Sequence, residues 1–171
     1  MTMQINYYFI YKNNLFPNNE KLPVLHYKRV FEPLPLTPEL IEHVLNENDW
    51  HHVWRDGIYS FHHYHSNTHE VLIIYSGHCI VELGGEQGKM IEVTIGDALL
   101  IPAGISHKNH QASSDFKCIG AYPFSIEYNM KYGKVDEYPQ VIEEIKRTPL
   151  PQSDPIYGKE GPLFNYWQTE F

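Results

Sequence analysis

Only two cysteines, Cys79 and Cys118, occur in the 171 residues, and they stand far apart in strand-like runs. That leaves no disulfide framework, and the expectation is two buried free thiols. Basic residues are also scarce: 13 Lys and Arg face 21 Asp and Glu, the formal net charge is −8, and no basic cluster occurs. A nucleic-acid surface needs a basic face and an anionic membrane attracts one, so neither is an expected partner. No apolar run is long enough to span a membrane. The opening residues, MTMQINYYFIYKNN, lack the charged start and small-residue cleavage site of a secretory signal, so the expected location is cytoplasmic. Phosphate loops, nucleophile elbows, CxxC pairs, internal repeats and low-complexity segments are all missing.

What is present suits a soluble core built of strands. Apolar residues make up 42% and there are 13 tyrosines, enough for one domain over residues 1–171. Ile5–Tyr11 and Pro23–Val30 read as extended. Glu32-Pro33-Leu34-Pro35-Leu36 is too proline-rich for regular structure. A helix follows, with Thr37 as N-cap, Pro38 at its first position and Leu40, Ile41, Val44 and Leu45 on one face, stopping near 46–49. His43 on that helix reads as exposed. Short strands are then expected at about 58–65, 70–76, 78–84, 89–94, 97–102, 106–111 and 115–122, with glycine-rich joints between most of them. Such spacing indicates an antiparallel sandwich or barrel, its core over about 55–123. Val71–Tyr75 is apolar on both faces, which calls for a cover from another sheet or from a second copy, and the expectation is a homodimer. After Pro139 a second short helix is expected over 140–147, and 149–155 is extended or turning.

The chemistry concentrates between Gly57 and Gly77. On a strand, His63 and His65 share one face about 6.8 Å apart. Glu70 follows, and His107 comes after the Pro102-Ala103-Gly104 turn. Three imidazoles and a carboxylate suit one divalent transition metal, Fe, Mn, Ni, Co or Zn. The competing reading is a set of barrel histidines held by hydrogen bonds alone. By spacing, His69 is a rival to Glu70 as ligand, or a residue supporting the site. Strand parity turns Tyr59, Phe61, Asn109 and Gln111 inward with the ligands and His62 and His110 outward. It makes the former candidates for the wall of a pocket. His51, His52 and His78 read as loop or turn residues, and Asp97 as turn chemistry.

Two gapped patterns occur in order. Gly57, His63, His65, Glu70 and Gly77 form the first; Gly96, Pro102, Gly104 and His107 form the second, with Gln111 where its last position is Asn. On these residues the chain resembles the cupin superfamily. Arg55-Asp56-Gly57-Ile58-Tyr59, HHYHSNTHEVL, Gly120-Ala121-Tyr122-Pro123 and the pieces around Asp154 and Gly161 resemble its YjlB-type single-domain members. The resemblance implies an all-β, double-stranded β-helix or jelly-roll barrel with a few short flanking helices. It also implies a metal on His63, His65, Glu70 and His107, with Glu70 chosen over His69. Cupins include dioxygenases, oxalate-type oxidases and decarboxylases, and sugar or sugar-phosphate isomerases. The resemblance therefore implies a small-molecule ligand, with oxygen chemistry favoured because basic residues near the motif are few.

Overall fold

A computed structural model describes residues 3–32 and 35–168, so Pro33 and Leu34 of the proline-rich stretch lie outside the described residues. Nine strands are described: β1 (Gln4–Ile10), β2 (Asn19–Lys28), β3 (His51–Asp56), β4 (Glu70–Ser76), β5 (His78–Leu83), β6 (Lys89–Thr94), β7 (Ala98–Ile101), β8 (His107–Ala112) and β9 (Lys117–Tyr122). They pair antiparallel in two sheets, β1-β2-β7-β4-β9-β3 and β6-β5-β8, giving the expected all-β jelly roll. Among the described residues three α-helices flank it: α1 (Pro38–Glu47), α2 (Gln140–Arg147) and α3 (Leu163–Tyr166). Helix α1 begins as its sequence dictates, with Thr37 accepting from the Leu40 amide and Pro38 in the first turn.

The period-2 alternation of β4 explains the layering. Leu72 and Ile74 turn into the space between the sheets, against Val81, Leu83, Val93 and Leu99. Val71 and Ile73 turn the other way and are covered by Ile41 and Leu45 of α1, by Trp50, and by Leu163 and Trp167 of the C-terminal segment. The apolar outer face that suggested a partner is thus filled from within the chain. The tail is tied down by Trp167 Nε1, which donates to the Pro23 carbonyl at 2.8 Å, and by Trp50 Nε1, which donates to the Ser153 carbonyl at 2.9 Å.

Two local expectations change. Residues 58–65 do not form a strand; they are held by single bridges, His63 to His107 and Tyr64 to Lys131. His51 and His52 lie in β3, an edge strand whose pairing with β9 slips between His51 and Trp54, and His52 has φ 53° there. That irregularity hides the alternation that would have marked a strand. Of the two glycines bounding the first motif, Gly77 has φ 69°, a conformation that disfavours a side chain, whereas Gly57 has no positive φ and open space around it.

Candidate metal centre

Glu70 is the first residue of β4 and His107 the first of β8, while His63 and His65 come from the bridged segment beside them. Backbone hydrogen bonds set the approach. His63 and His107 exchange amide-to-carbonyl bonds of 3.3 and 2.9 Å, and the Gly104 amide donates to the His65 carbonyl at 2.8 Å. The Pro-x-Gly turn therefore clamps the His65 backbone and starts the strand bearing His107.

One ligand atom each from His65, Glu70 and His107 falls within 4.8 Å of the others, and all three residues are buried. His63 lies outside that compact cluster, although its ring centroid is 4.3 Å from that of His107. The tautomers follow from the neighbours. Nδ1 of His63 faces the Phe61 carbonyl at 3.0 Å, that of His65 the Asn129 carbonyl at 2.5 Å, and that of His107 the Ile105 carbonyl at 3.0 Å. A carbonyl only accepts, so each Nδ1 carries a proton, and in the neutral ring Nε2 is then left with the lone pair. Glu70 Oε2 stands 3.3 Å from His65 Nε2 and 3.2 Å from His107 Nε2, and it is buried with no hydrogen-bond partner. Such an orphaned carboxylate oxygen costs about 1–3 kcal/mol or more unless something positive meets it. The donor set therefore fits a divalent cation.

Electrostatics agree. Burial alone would raise the Glu70 carboxyl, but His65 and His107 hold it well below the usual carboxylate range. Burial likewise opposes charge on His65, yet the Glu70 carboxylate more than offsets this and keeps the imidazole above its ordinary value. His63 has no carboxylate so close; burial, then His107, pushes it down to about 3. A cation held by these groups would take the place of the proton that Glu70 otherwise draws to His65.

The other candidates are dispersed. His69 is buried but serves the frame: its Nδ1 accepts from the Ala103 amide at 2.9 Å and its Nε2 donates to the Pro149 carbonyl at 3.1 Å. Its burial lowers it to about 4, and its ring packs on Trp167 rather than facing the ligands. Without a strand at 58–65, parity does not turn Tyr59 and Phe61 inward; they stack on each other at the surface, 58% and 44% exposed. Tyr59 still lines the mouth of the cavity. On β8 a bulge between the Val81 and Ile80 pairings sets Asn109 opposite Val81 but Gln111 opposite Ile80. Beyond it the faces are exchanged. Asn109 is half-buried, with the Cys79 thiol directed to its Oδ1 at 3.5 Å, whereas Gln111 is exposed. His62 does turn away from the ligands, toward Phe16 and Glu82.

A cavity of about 300 Å³ opens over the cluster, with Trp54, Leu72, Tyr122, Tyr128 and Met130 among its walls. Burial, then the Glu70 charge, holds the Tyr122 phenol above its ordinary range. Tyr128, from the irregular stretch after β9, stacks on Tyr122 at 4.5 Å and meets the His65 ring edge-on at 5.0 Å. On sequence grounds Tyr122 ranks below Tyr59 and Phe61 as a pocket residue, and Tyr128 does not stand out. Tyr122 carried one signal, the parity it shares with Cys118 on β9; Tyr128 carried none. The two thiols are buried and free as expected, burial pushing Cys79 up to about 12.

Comparison with known proteins places these features. A family model described as a cupin domain matches residues 47–119. Uncharacterized protein YjlB of Bacillus subtilis (strain 168) is 37% identical over 167 residues, covering 98% of this chain and 99% of that protein. Among solved structures, the QdtA 3,4-ketoisomerase from Thermoanaerobacterium thermosaccharolyticum in complex with TDP is 21% identical over 58% of this chain and 75% of its own, with a TM-score of 0.43. Acireductone dioxygenase from Bacillus anthracis, with cadmium ion in its active center, is 20% identical over 71% and 79%, with a TM-score of 0.39. Near-complete coverage at 37% identity, joined to the domain match across the barrel, makes this chain a member of the cupin family, of the YjlB type.

Proposed function

We propose that the protein is a metal-dependent enzyme that acts on a small polar molecule in the barrel, by dioxygenase-like chemistry rather than isomerisation. The observation that carries this reading is the orphaned Glu70 Oε2 facing the Nε2 atoms of His65 and His107 at the base of an open cavity. His65, Glu70 and His107 would hold the ion, with His63 as the fourth ligand. A bound Fe, Mn, Ni, Co or Zn ion with positions left open supplies Lewis acidity and, if redox-active, access to oxygen chemistry. The chain's own part is to hold three neutral imidazoles by their Nδ1 protons and to surround the substrate with aromatic walls.

The charge around the cavity favours a substrate without phosphate. Arg55, the cation at its rim, is committed to Glu42 at 2.6 and 2.9 Å and to Glu39 at 3.2 Å. Lys108 is 3.5 Å from Glu82 on the outer face of the small sheet, and Lys117 is exposed at the start of β9. Among the described residues lining the cavity, no other Lys or Arg is found, so a phosphate group would enter without a charged partner. The reading also includes a cytoplasmic location, in keeping with two free thiols, and a homodimer. With Val71 and Ile73 covered, one surface open to pairing is edge strand β1, where Tyr7 and Phe9 are exposed.

Metal analysis of protein purified without added metal tests the first step, with one ion per chain expected. Oxygen uptake is then measured with diketones, catechols and thiols on the Fe(II) and Mn(II) forms. Stoichiometric metal with no uptake across the panel would remove the dioxygenase reading and favour a non-catalytic module that binds or senses a small ligand.

A further inference from the structure

Glu70 reaches its cluster with one oxygen already taken. Tyr122 Oη donates to Glu70 Oε1 at 3.1 Å, and Trp54 Nε1 donates to Tyr122 Oη at 3.0 Å. The direction of this relay is set by the groups themselves. An indole N–H can only donate and a carboxylate only accepts, so the single phenol proton must lie toward Glu70. The backbone supports the alignment, because β3, β9 and β4 are adjacent, with Trp54 paired to Gly120 and Val71 to Ala121. The Trp54 ring lies so close over Gly120 that a Cβ there would sit 2.1 Å from Trp54 Cε2. Tyr122 also packs within a three-ring cluster, stacked on Tyr128 at 4.5 Å and edge-on to His65 at 5.6 Å.

We propose that Tyr122, held by Trp54, is a positioning residue that engages Glu70 Oε1 so that the carboxylate meets a cation through Oε2 alone. This rests on the metal reading above. The relay fixes the rotation of the carboxylate about its terminal bond, which would otherwise be broad, and aims Oε2 at the Nε2 atoms of His65 and His107. Single-oxygen binding would keep one more position on the ion for substrate than a two-oxygen carboxylate allows.

Co(II) titration of the full-length protein tests this, followed by absorption spectra and infrared measurement of the carboxylate stretches. In Tyr122→Phe, Co(II) affinity is expected to fall about 10- to 100-fold, and the splitting of the carboxylate stretches to shift toward two-oxygen coordination. Trp54→Phe, which only loosens Tyr122, is expected to give a smaller loss in the same direction. It also serves as the test if Tyr122→Phe does not fold. Wild-type protein that takes up Co(II) while the substituted protein binds it equally, with unchanged infrared bands, overturns the inference and leaves the metal reading standing. Wild-type protein that binds no Co(II) overturns both.

Discussion

Tyr27 Oη donates a 2.6 Å hydrogen bond to Asp154 Oδ2, joining β2 to the C-terminal segment across 127 positions of sequence. Asp154 is fully buried and also accepts from the amides of Ile156 and Tyr157 at Oδ1 and of Leu163 at Oδ2. Four donors thus converge on one carboxylate and hold in place the tail that covers the outer face of the large sheet. Asp154→Asn sets an NH2 group against some of these donors and is expected to lower stability by about 2–4 kcal/mol. Tyr27→Phe should cost about 1–2 kcal/mol. Urea unfolding curves measure both, and a neutral Asp154→Asn would show that the tail is held by apolar contact alone.

Acid should act through Asp97. Its carboxylate, in the turn before β7, accepts from His26 Nε2 at 2.8 Å and from the Arg29 and Thr94 amides at 3.1 and 3.2 Å. Burial opposes its charge, but the His26 bond and the two amides hold it below the usual range. In the unfolded chain it takes up a proton near pH 3.9, while the folded chain still holds it ionised. The unfolded state then binds more protons, so this contribution is complete above about pH 4 and fades as pH falls toward the lower folded value. Asp97→Asn should lose about 1–3 kcal/mol at pH 7 and lose less than the parent between pH 4 and 3. Parallel acid limbs for the two proteins would count against this assignment.

The ligand set can be divided by substitution. His65→Ala, Glu70→Ala and His107→Ala are each expected to abolish stoichiometric metal binding. His63→Ala should weaken it by about tenfold or more, and full affinity without His63 would reduce the set to three. His69→Ala should leave the stoichiometry unchanged and destabilise the fold by about 1–3 kcal/mol, because it leaves the Ala103 amide and Pro149 carbonyl unpaired. Equilibrium dialysis with metal analysis, run beside thermal melts, separates the two kinds of effect.

Gly120 gives a steric test. A methyl group there meets the Trp54 indole at 2.1 to 2.5 Å and must displace it. Gly120→Ala is expected to cost about 1–3 kcal/mol, as overpacking does in well-filled interiors, and to alter Trp54 fluorescence. Gly57→Ala, with open space around the added carbon, should be nearly neutral.

Much of the protein was legible because its signals are local. The alternation in β4, the Thr37-Pro38 start of α1 and the punctuation before β5, β6 and β7 each depend on a few neighbouring residues. The order and spacing of the two motifs likewise pointed to His63, His65, Glu70 and His107, of which the structure gathers the last three into one compact cluster. Parity failed where the backbone is irregular. The stretch before His63 has bridges instead of a ladder, and the bulge near His110 exchanges the faces of β8, so Phe61 and Gln111 do not point where alternation placed them.

Sequence alone determined the strand-rich class, the helix start and the candidate ligands, since these follow from composition, spacing and side-chain chemistry. Tertiary structure decided the rest. It covered Val71 and Ile73 from within the chain, tied His69 to the frame, and brought Trp54 and Tyr122, 68 positions apart, onto Glu70. Those outcomes depend on which distant segments pack together, and packing between distant segments leaves no period in a sequence.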